Sequence, residues 1–334
     1  MKEALLYKKE HKNRITCFLC NHNCSILENN LGFCRVRKNI DGKLYSLNYG
    51  KLVAANIDPI EKKPLYHFLA GSYSYSIACV GCNFKCDFCQ NWQISQIEEA
   101  IGLETLELNP EDVVKEAMRN KCPSISYTYT EPTVYFEFAY DCAKLAKEKG
   151  IFNVFVTNGY MSKESIEYIK DYLDAANIDL KSFSDNFYRK FCKGRLNPVL
   201  ENIKFMKELG IWVEVTTLII PKLNDSKDEL ESIANFLASI DKNIPWHVSA
   251  FHPDYKLIDI ERTPTSTLDL AYKIGKKAGL NFVYIGNVYS DYGSNTYCPN
   301  CSKEIIKRIG FFVEKKEIYN NRCRYCQKEI PGLF

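Results

Sequence analysis

Between about residue 74 and residue 287 the chain alternates short apolar runs with longer stretches whose apolar positions recur at helical spacing. The short runs predict strands over Ser74–Val80, Ser124–Thr130, Phe152–Thr157, Ala175–Leu180, Ile211–Ile219, Trp246–Phe251 and Asn281–Ile285. The longer stretches predict helices over Pro110–Asn120, Pro132–Lys149, Ser162–Tyr172, Asn197–Leu209, Ser226–Ser239 and Thr265–Ala278. Pro110 and Pro132 stand near helix starts, and Gly150, Gly210 and Gly279 near helix ends. Strict alternation requires parallel strands joined by crossovers, so the expected class is α/β. Seven strands in this span fit a partial or near-complete (β/α) TIM-like barrel over residues 71–290. A small cysteine-rich metal module over 1–70 and a zinc ribbon over 291–334 are expected to flank it. The chain has no internal repeat.

The polar residues fall where such a fold does chemistry. A cysteine loop follows the first predicted strand, Thr130-Glu131-Pro132 the second and Thr157-Asn158-Gly159 the third. Asp179-Leu180-Lys181 follows the fourth and His252-Pro253-Asp254 the sixth. All five are carboxyl ends of strands, the face on which parallel sheets and barrels build active sites. Within Ser124–Thr130 small hydroxyl residues alternate with large ones, so one face of that strand is small and polar. Turned inward, that face leaves room for a ligand; turned outward, it is simply solvated.

Composition narrows the function classes. The chain has 334 residues, 46% hydrophobic and 25% charged, which is a soluble globular balance. Lys+Arg 44 against Asp+Glu 41 leaves +3, too near neutral for an electrostatic grip on nucleic acid. No apolar run approaches the roughly 20 residues of a membrane span. The N-terminal MKEALLYKKEHKNR lacks the apolar stretch of a secretory signal. A cytoplasmic protein without membrane partners is the expectation.

Fifteen cysteines are the anomaly. In a reducing compartment, thiols in such number are read as ligands rather than disulfides. Twelve of them fall into three groups of four. In the central group, Cys82-x3-Cys86-x2-Cys89 sets three thiolates on one tight loop. That spacing suits a cubane iron–sulfur cluster whose fourth iron is open to a small molecule; a closed zinc site would need Cys79 as well. The C-terminal group, Cys298-x2-Cys301 and Cys323-x2-Cys326, has the two knuckles of a zinc ribbon, with a hairpin expected around Gly310–Val313. An auxiliary iron–sulfur cluster is the alternative there.

The N-terminal group, Cys17, Cys20, Cys24 and Cys34, lies in a segment too poor in apolar bulk to fold without a metal. Zinc and an auxiliary iron–sulfur cluster are both open for it, with a lean to zinc, and His22 is read as a bystander. Cys122 and Cys142 are read as packing residues. Cys192 is read as an inert loop thiol, with a hydrogen-atom donor or ligand as the alternative. Asn224 and Asp225 read as a helix cap, and His11 and His67 give no signal.

These residues carry a family resemblance. The stretches GCNFKCDFCQNWQISQ, SYTYTEPTVYFE, NVFVTNGY, AANIDLKSFSDNFYRKFCKG, WVEVTTLIIPKLND, IPWHVSAFHPDYK and NTYCPNC resemble the radical S-adenosylmethionine (SAM) superfamily. Within it the chain resembles the pyruvate formate-lyase-activating-enzyme-like branch, and more closely still the radical SAM component of the AmmeMemoRadiSam system. The resemblance spans nearly the whole chain. It implies that Cys82, Cys86 and Cys89 hold a [4Fe–4S] cluster whose open iron chelates SAM, with Phe88 beside the adenine. It sets Thr130 and Glu131 in the turn that meets the methionyl amine, with Glu131 as ligand or base; a plain helix-dipole role is the alternative. Thr157, Asn158, Asp179, Lys181 and His252 match SAM-contacting elements of activating enzymes, Lys181 as partner of the carboxylate. His247 is the weaker histidine candidate.

The activity so implied is reductive cleavage of SAM to a 5′-deoxyadenosyl radical, which abstracts hydrogen from a small molecule or a protein. An electron donor such as flavodoxin or ferredoxin follows from the chemistry. Memo-like and AMMECR-like proteins follow, as partners, from the named system. Three departures stand out. Tyr129 and Thr130 replace two glycines of the usual turn, Val156 replaces an Asp that helps hold a monovalent cation, and Glu214 replaces an Arg near SAM. The last two count against a glycyl-radical enzyme activase, which stays an alternative, as does a non-enzymatic multi-zinc interaction protein.

Overall fold

The computed structural model describes residues 1–96, 102–290 and 292–334. Its strands β1 (Lys51–Pro59), β2 (Tyr73–Cys79), β3 (Ser124–Tyr127), β4 (Phe152–Thr157), β5 (Ala175–Asp179), β6 (Trp212–Ile219), β7 (Trp246–Ala250) and β8 (Val283–Gly286) share one sheet. From β2 to β8 each strand pairs in parallel with its successor. β1 lies antiparallel on the outer side of β2, with the short strand Leu106–Glu107 beyond it. Every residue of β3 and β7 is buried, as parallel strands covered on both faces must be.

The crossovers carry α1 (Pro110–Arg119), α2 (Phe136–Glu148), α3 (Lys163–Ile169), α4 (Leu196–Glu208), α5 (Lys227–Ile240) and α6 (Thr265–Lys277). In α5, Leu230, Ile233, Ala234 and Leu237 form the buried stripe that helical spacing demands. Its start is fixed by the Ser226 hydroxyl, which accepts Glu229 N. Asn109 and Asp112 cap α1 reciprocally. The segment expected as one helix from Pro132 begins instead with a short 3-10 turn, Pro132–Tyr135, before α2. The strand expected over Ser124–Thr130 stops at Tyr127, because Tyr129 takes a left-handed φ of 63°.

The outer segments are small antiparallel sheets. Tyr7–Lys9, Ile15–Cys17 and Cys24–Ile26 form one, and Lys2–Glu3, Lys43–Ser46 and Arg37–Ile40 another. Near the C-terminus Thr296–Tyr297, Glu304–Ile309 and Phe312–Lys316 pair in a third. The central sheet takes in residues 51–59, which cysteine spacing alone left with the N-terminal module. Among the described residues, no helix is long and apolar enough to cross a membrane.

His67, silent in the sequence, ties the chain's end to the sheet. It is 0% exposed, with Nδ1 2.8 Å from the Pro331 carbonyl and Nε2 2.6 Å from the Tyr284 hydroxyl. A carbonyl only accepts, so the network assigns the proton to Nδ1 and makes Nε2 the acceptor from Tyr284. Burial pushes the His67 pKa down to about 4, against about 6.5 in the unfolded chain. Between those values the unfolded state binds the extra proton. The contribution is therefore whole above pH 6.5 and lost as pH falls towards 4, about 3 kcal/mol in all. Denaturant unfolding at pH 7 and pH 4.5 tests this. The wild type should lose about 2–3 kcal/mol more than His67→Gln over that step, and equal losses would remove His67 from the account.

Candidate active site

The strand ends surround a cavity of about 550 Å³, a volume suited to a small-molecule ligand. Cys82, Cys86 and Cys89 line it, and Cys79 does not. Cys79 is buried in the core near Cys142, so three thiols face the cavity. Gly81 opens their loop at φ 108°, where a Cβ would stand 2.9 Å from Val36; only glycine lets the N-terminal segment back the loop so closely. Lys85 N and Asp87 N donate to the carbonyls of Cys192 and Phe191, each at 3.0 Å. Cys192, expected as an inert loop thiol, lies beside Cys86. That contact and burial push the Cys86 thiol up, and burial does the same to Cys82 and Cys89. Metal uptake here must therefore displace protons.

Glu131 is 1% exposed. Its Oε1 accepts from Thr133 N at 3.1 Å, Thr133 Oγ1 at 2.5 Å and Thr157 Oγ1 at 2.8 Å. Its Oε2 accepts from Asn158 N at 2.8 Å. None of these donors is a cation, and burial raises the carboxyl's pKa against their pull. Asn158 Nδ2 in turn donates to Asn83 Oδ1 at 2.7 Å and lies 3.7 Å from Cys82 Sγ. Gly159 completes the turn, since a Cβ there would meet Ile178 at 2.7 Å.

The turn before Glu131 keeps a glycine-like backbone without glycine. Tyr129 is left-handed, at a cost of about 1–2 kcal/mol. Its hydroxyl bonds Asp58, and Lys63 Nζ stands 4.2 Å from its ring centroid. Thr130 Oγ1 donates to the Cys79 carbonyl at 2.7 Å. Across the cavity Lys181 pairs with Asp179 at 2.9 Å and lies 5.8 Å from the buried Phe88 ring. Asn224 buckles the neighbouring loop, accepting Ile220 N at 2.6 Å and donating to the Lys181 carbonyl at 2.7 Å. The cap of α5 is Ser226, not Asn224.

His252 does not line the cavity. It is exposed and accepts from Gln90 Nε2 at 2.9 Å, while Asp254 in the same loop accepts from Trp92 Nε1 at 2.9 Å. That loop clamps the cysteine segment from outside. His247 lines the cavity instead and donates to Glu214 at 2.7 Å. Glu214 also accepts Tyr66 N at 3.0 Å and His67 N at 2.8 Å, so it anchors the segment between β1 and β2. Thr128 also faces the cavity, whereas Ser126 is spent on Ser74 at 2.6 Å. The small polar face of that strand points inward.

Sequence reasoning missed the opposite wall: Glu61, Lys63 and Tyr66, with Asn287 and Phe311. Lys63 is 1% exposed, and burial lowers its pKa to about 8 against the pull of Asp58 at 2.6 Å. The run Ile60-Glu61-Lys62-Lys63 between two prolines reads as a solvated loop; the apolar residues at its borders are the one hint of burial. At the C-terminus, Cys298, Cys301, Cys323 and Cys326 bring their sulfurs within 4.8 Å of one another, a set able to hold a metal ion. The N-terminal four line a separate small hollow.

The pattern of the radical SAM superfamily matches residues 76–237. An uncharacterized protein of Methanocaldococcus jannaschii is 47% identical over 99% of both chains. The pyruvate formate-lyase-activating enzyme of Clostridium pasteurianum is 27% identical over 54% of this chain and 81% of its own. A solved radical SAM methyltransferase from Sphaerobacter thermophilus superposes with a TM-score of 0.50 at 15% identity, over 65% of this chain and 67% of that one; this likeness concerns the fold.

Glu131→Gln tests the buried carboxylate. An amide must turn an NH₂ towards donors, so the variant should lose about 2–3 kcal/mol in denaturant unfolding. An unchanged midpoint would mean that the four donors do not depend on the charge.

Proposed function

The chain belongs to the radical SAM superfamily and is an enzyme of SAM-dependent iron–sulfur chemistry; on that footing we propose that it cleaves SAM reductively to a 5′-deoxyadenosyl radical, which takes hydrogen from a substrate held in the same cavity. The observation that carries this reading is that three cysteines, not four, face a cavity of about 550 Å³. Cys82, Cys86 and Cys89 would hold a [4Fe–4S] cluster with one iron left for a ligand. When bound by those three thiolates, such a cluster would supply the low-potential electron that the cleavage needs. The family match overturns the non-enzymatic multi-zinc reading.

The chain's own residues supply orientation and exclusion of water. Among the described residues Glu131 Oε2 accepts from Asn158 N and keeps a second acceptor position for the methionyl ammonium. Thr130, Thr157 and Asn158 hold that carboxylate's surroundings, Lys181 faces the SAM carboxylate with Asp179 as its counter-ion, and Phe88 packs by the adenine. His252 acts at one remove, by fixing Gln90 at the rim. Val156 stands where activating enzymes carry an Asp, so this set has one carboxylate fewer to offer the monovalent cation of those enzymes.

The one-way strand order from β2 to β8 supports a partial (β/α) barrel over residues 71–290, with β1 added from the 1–70 module. The sulfur spacing at 298–326 supports zinc in a ribbon over 291–334. Electrons would come from a flavodoxin or ferredoxin in the cytoplasm. Membership of the AmmeMemoRadiSam system, with Memo-like and AMMECR-like partners, rests on the sequence resemblance. Activation of a glycyl-radical enzyme is the second reading, favoured by the likeness to the Clostridium pasteurianum enzyme. Against it, the position expected for an Arg is filled by the Glu214 anchor.

Anaerobic reconstitution, reduction with dithionite and assay of 5′-deoxyadenosine decide the matter. The wild type should produce it from SAM, and Cys86→Ala should lose it by at least about 100-fold, since no partial cluster site replaces a ligand. A colourless protein that cleaves no SAM would overturn the reading. A protein radical formed on a glycyl-radical partner, seen by electron paramagnetic resonance, would select the second one.

A further inference from the structure

The opposite wall of the cavity is carried by the segment between β1 and β2, which supplies Glu61, Lys63 and Tyr66. The sheet holds that segment from within: Glu214 accepts Tyr66 N and His67 N, and Asn177 Nδ2 donates to the Pro64 carbonyl at 2.8 Å. The C-terminal segment holds it from outside. Arg308, buried in the strand Glu304–Ile309, donates Nη2 to the Tyr66 carbonyl at 2.9 Å, and its guanidinium stands 4.2 Å from the Tyr66 ring centroid. Leu69 N donates to the Leu333 carbonyl at 2.6 Å, and Leu333 N to the His67 carbonyl at 2.8 Å. Gly71 lies so near Val313 that a Cβ would stand 3.3 Å from it. Phe311, at the turn of the same hairpin, reaches the cavity itself.

That C-terminal segment has little to hold its own shape. Its apolar core is Ile305, Ile306, Ile318 and Ile330 with Cys298 and Cys323, packed directly on Tyr66, Ala70 and Tyr284. So few apolar side chains do not keep a segment of this size folded without a cross-link. The thiols supply one. Cys298 and Cys326 are 3.6 Å apart, and Cys301 and Cys323 3.8 Å. Zinc–sulfur bonds of about 2.3 Å in a tetrahedron give sulfurs about 3.8 Å apart, so the four close on one ion. The reach of this segment is one-sided. Among the described residues no hydrogen bond joins residues 292–334 to Cys82, Cys86 or Cys89, to Glu131, to Asn158 or to Lys181.

We propose that the metal bound by Cys298, Cys301, Cys323 and Cys326 is a positioning site for the substrate side of the cavity. It keeps the C-terminal segment in shape, and that segment, through Arg308, keeps the wall from Glu61 to Gly71 closed over the reacting radical. This rests on the radical SAM reading above. The two sides of the cavity are then built separately: the SAM side on the buried Glu131 carboxyl, the substrate side on a metal ion beyond the sheet. Arg308 and the ion touch no reacting atom. They act by excluding bulk hydrogen donors, without which a carbon radical does not wait for its substrate.

The test uses the full reconstituted chain, with perdeuterated glycerol as a bulk donor and SAM as the only other addition. Transfer of deuterium from a glycerol carbon to the 5′ carbon leaves the radical on glycerol and marks the 5′-deoxyadenosine. Cys301→Ser with Cys326→Ser should lose the C-terminal ion and keep the active-site cluster signal. Its total 5′-deoxyadenosine should stay within about twofold of the wild type, with the KM for SAM unchanged. The deuterated share should rise about tenfold. Arg308→Lys, which keeps the thiols and their ion, should behave alike. In both variants the amides of Tyr66, His67, Leu69 and Gly71 should exchange with solvent about tenfold faster, while those of Thr133 and Asn158 do not change. A deuterated share equal to the wild type's in both variants would overturn the proposal. So would equal losses on the SAM side, which would make the segment a support of the whole fold. If the wild type itself cleaves no SAM, the active-site reading falls, and the exchange measurement alone decides whether the ion holds the wall.

Discussion

Glu131 is a carboxyl group with almost no water around it and no cation among its hydrogen-bond donors, which are Thr133, Thr157 and Asn158. Taking a carboxylate out of water costs several kcal/mol unless its oxygens are met by fixed donors. The turns after β3 and β4 therefore have little freedom: moving either one strands the charge. The constraint travels outward. Asn158, held by Glu131 through its backbone, fixes Asn83 through its side chain, and Asn83 receives His22 of the N-terminal segment. One buried charge thus aligns the strand ends, the cysteine loop and the module behind it.

The two outer segments are fastened by the same device. Arg37 reaches Glu137 on α2 at 2.5 Å, and Arg308 reaches Glu61 at 3.4 Å on the wall of the cavity. All four side chains are buried. Removing one member of such a pair costs about 3–5 kcal/mol, because the other is left charged and dry. A guanidinium suits the task because its remaining N–H groups fan out in a fixed plane. Arg308 spends those on Ser294, Thr296 and Tyr66. Arg37 leaves its Nε and Nη1 without a hydrogen-bond partner among the described residues.

Much of this was legible in the sequence because it rests on local periods. Phe152–Thr157 has the bounds its apolar run predicts, and α1 begins at Pro110 with the cap its sequence spells. The polar strand ends were legible for the same reason, since Thr157, Asn158, Asp179 and Lys181 do line the cavity. What stayed hidden depends on distant pairing. β1 alternates weakly and leaves Ile57 47% exposed, so nothing local marks it. The burial of Lys63 depends on Asp58 and Tyr129, and that of Glu214 on amides about 150 residues away. His252 followed the right strand but turned outward, because its loop is spent on Gln90 and Trp92.

Tyr129 shows what the lost glycines change. Its left-handed backbone costs about 1–2 kcal/mol. A hydrogen bond to charged Asp58 returns about 1.5–3 kcal/mol, and the Lys63 ammonium over the ring adds about 0.5–2 kcal/mol, so the strained turn is held at a net gain. Asp58, against the effect of burial, is kept well below the usual carboxylate range by Lys62, Lys63 and that hydroxyl. Lys63 cannot leave without uncovering Asp58, and Tyr129 cannot relax without uncovering both. Two glycines would let the turn before Glu131 adjust independently of the opposite wall. In this chain the proposed SAM-facing turn and the wall that would meet substrate are one mechanical unit, so a change in substrate preference built on Lys63 must pass through the backbone beside Glu131.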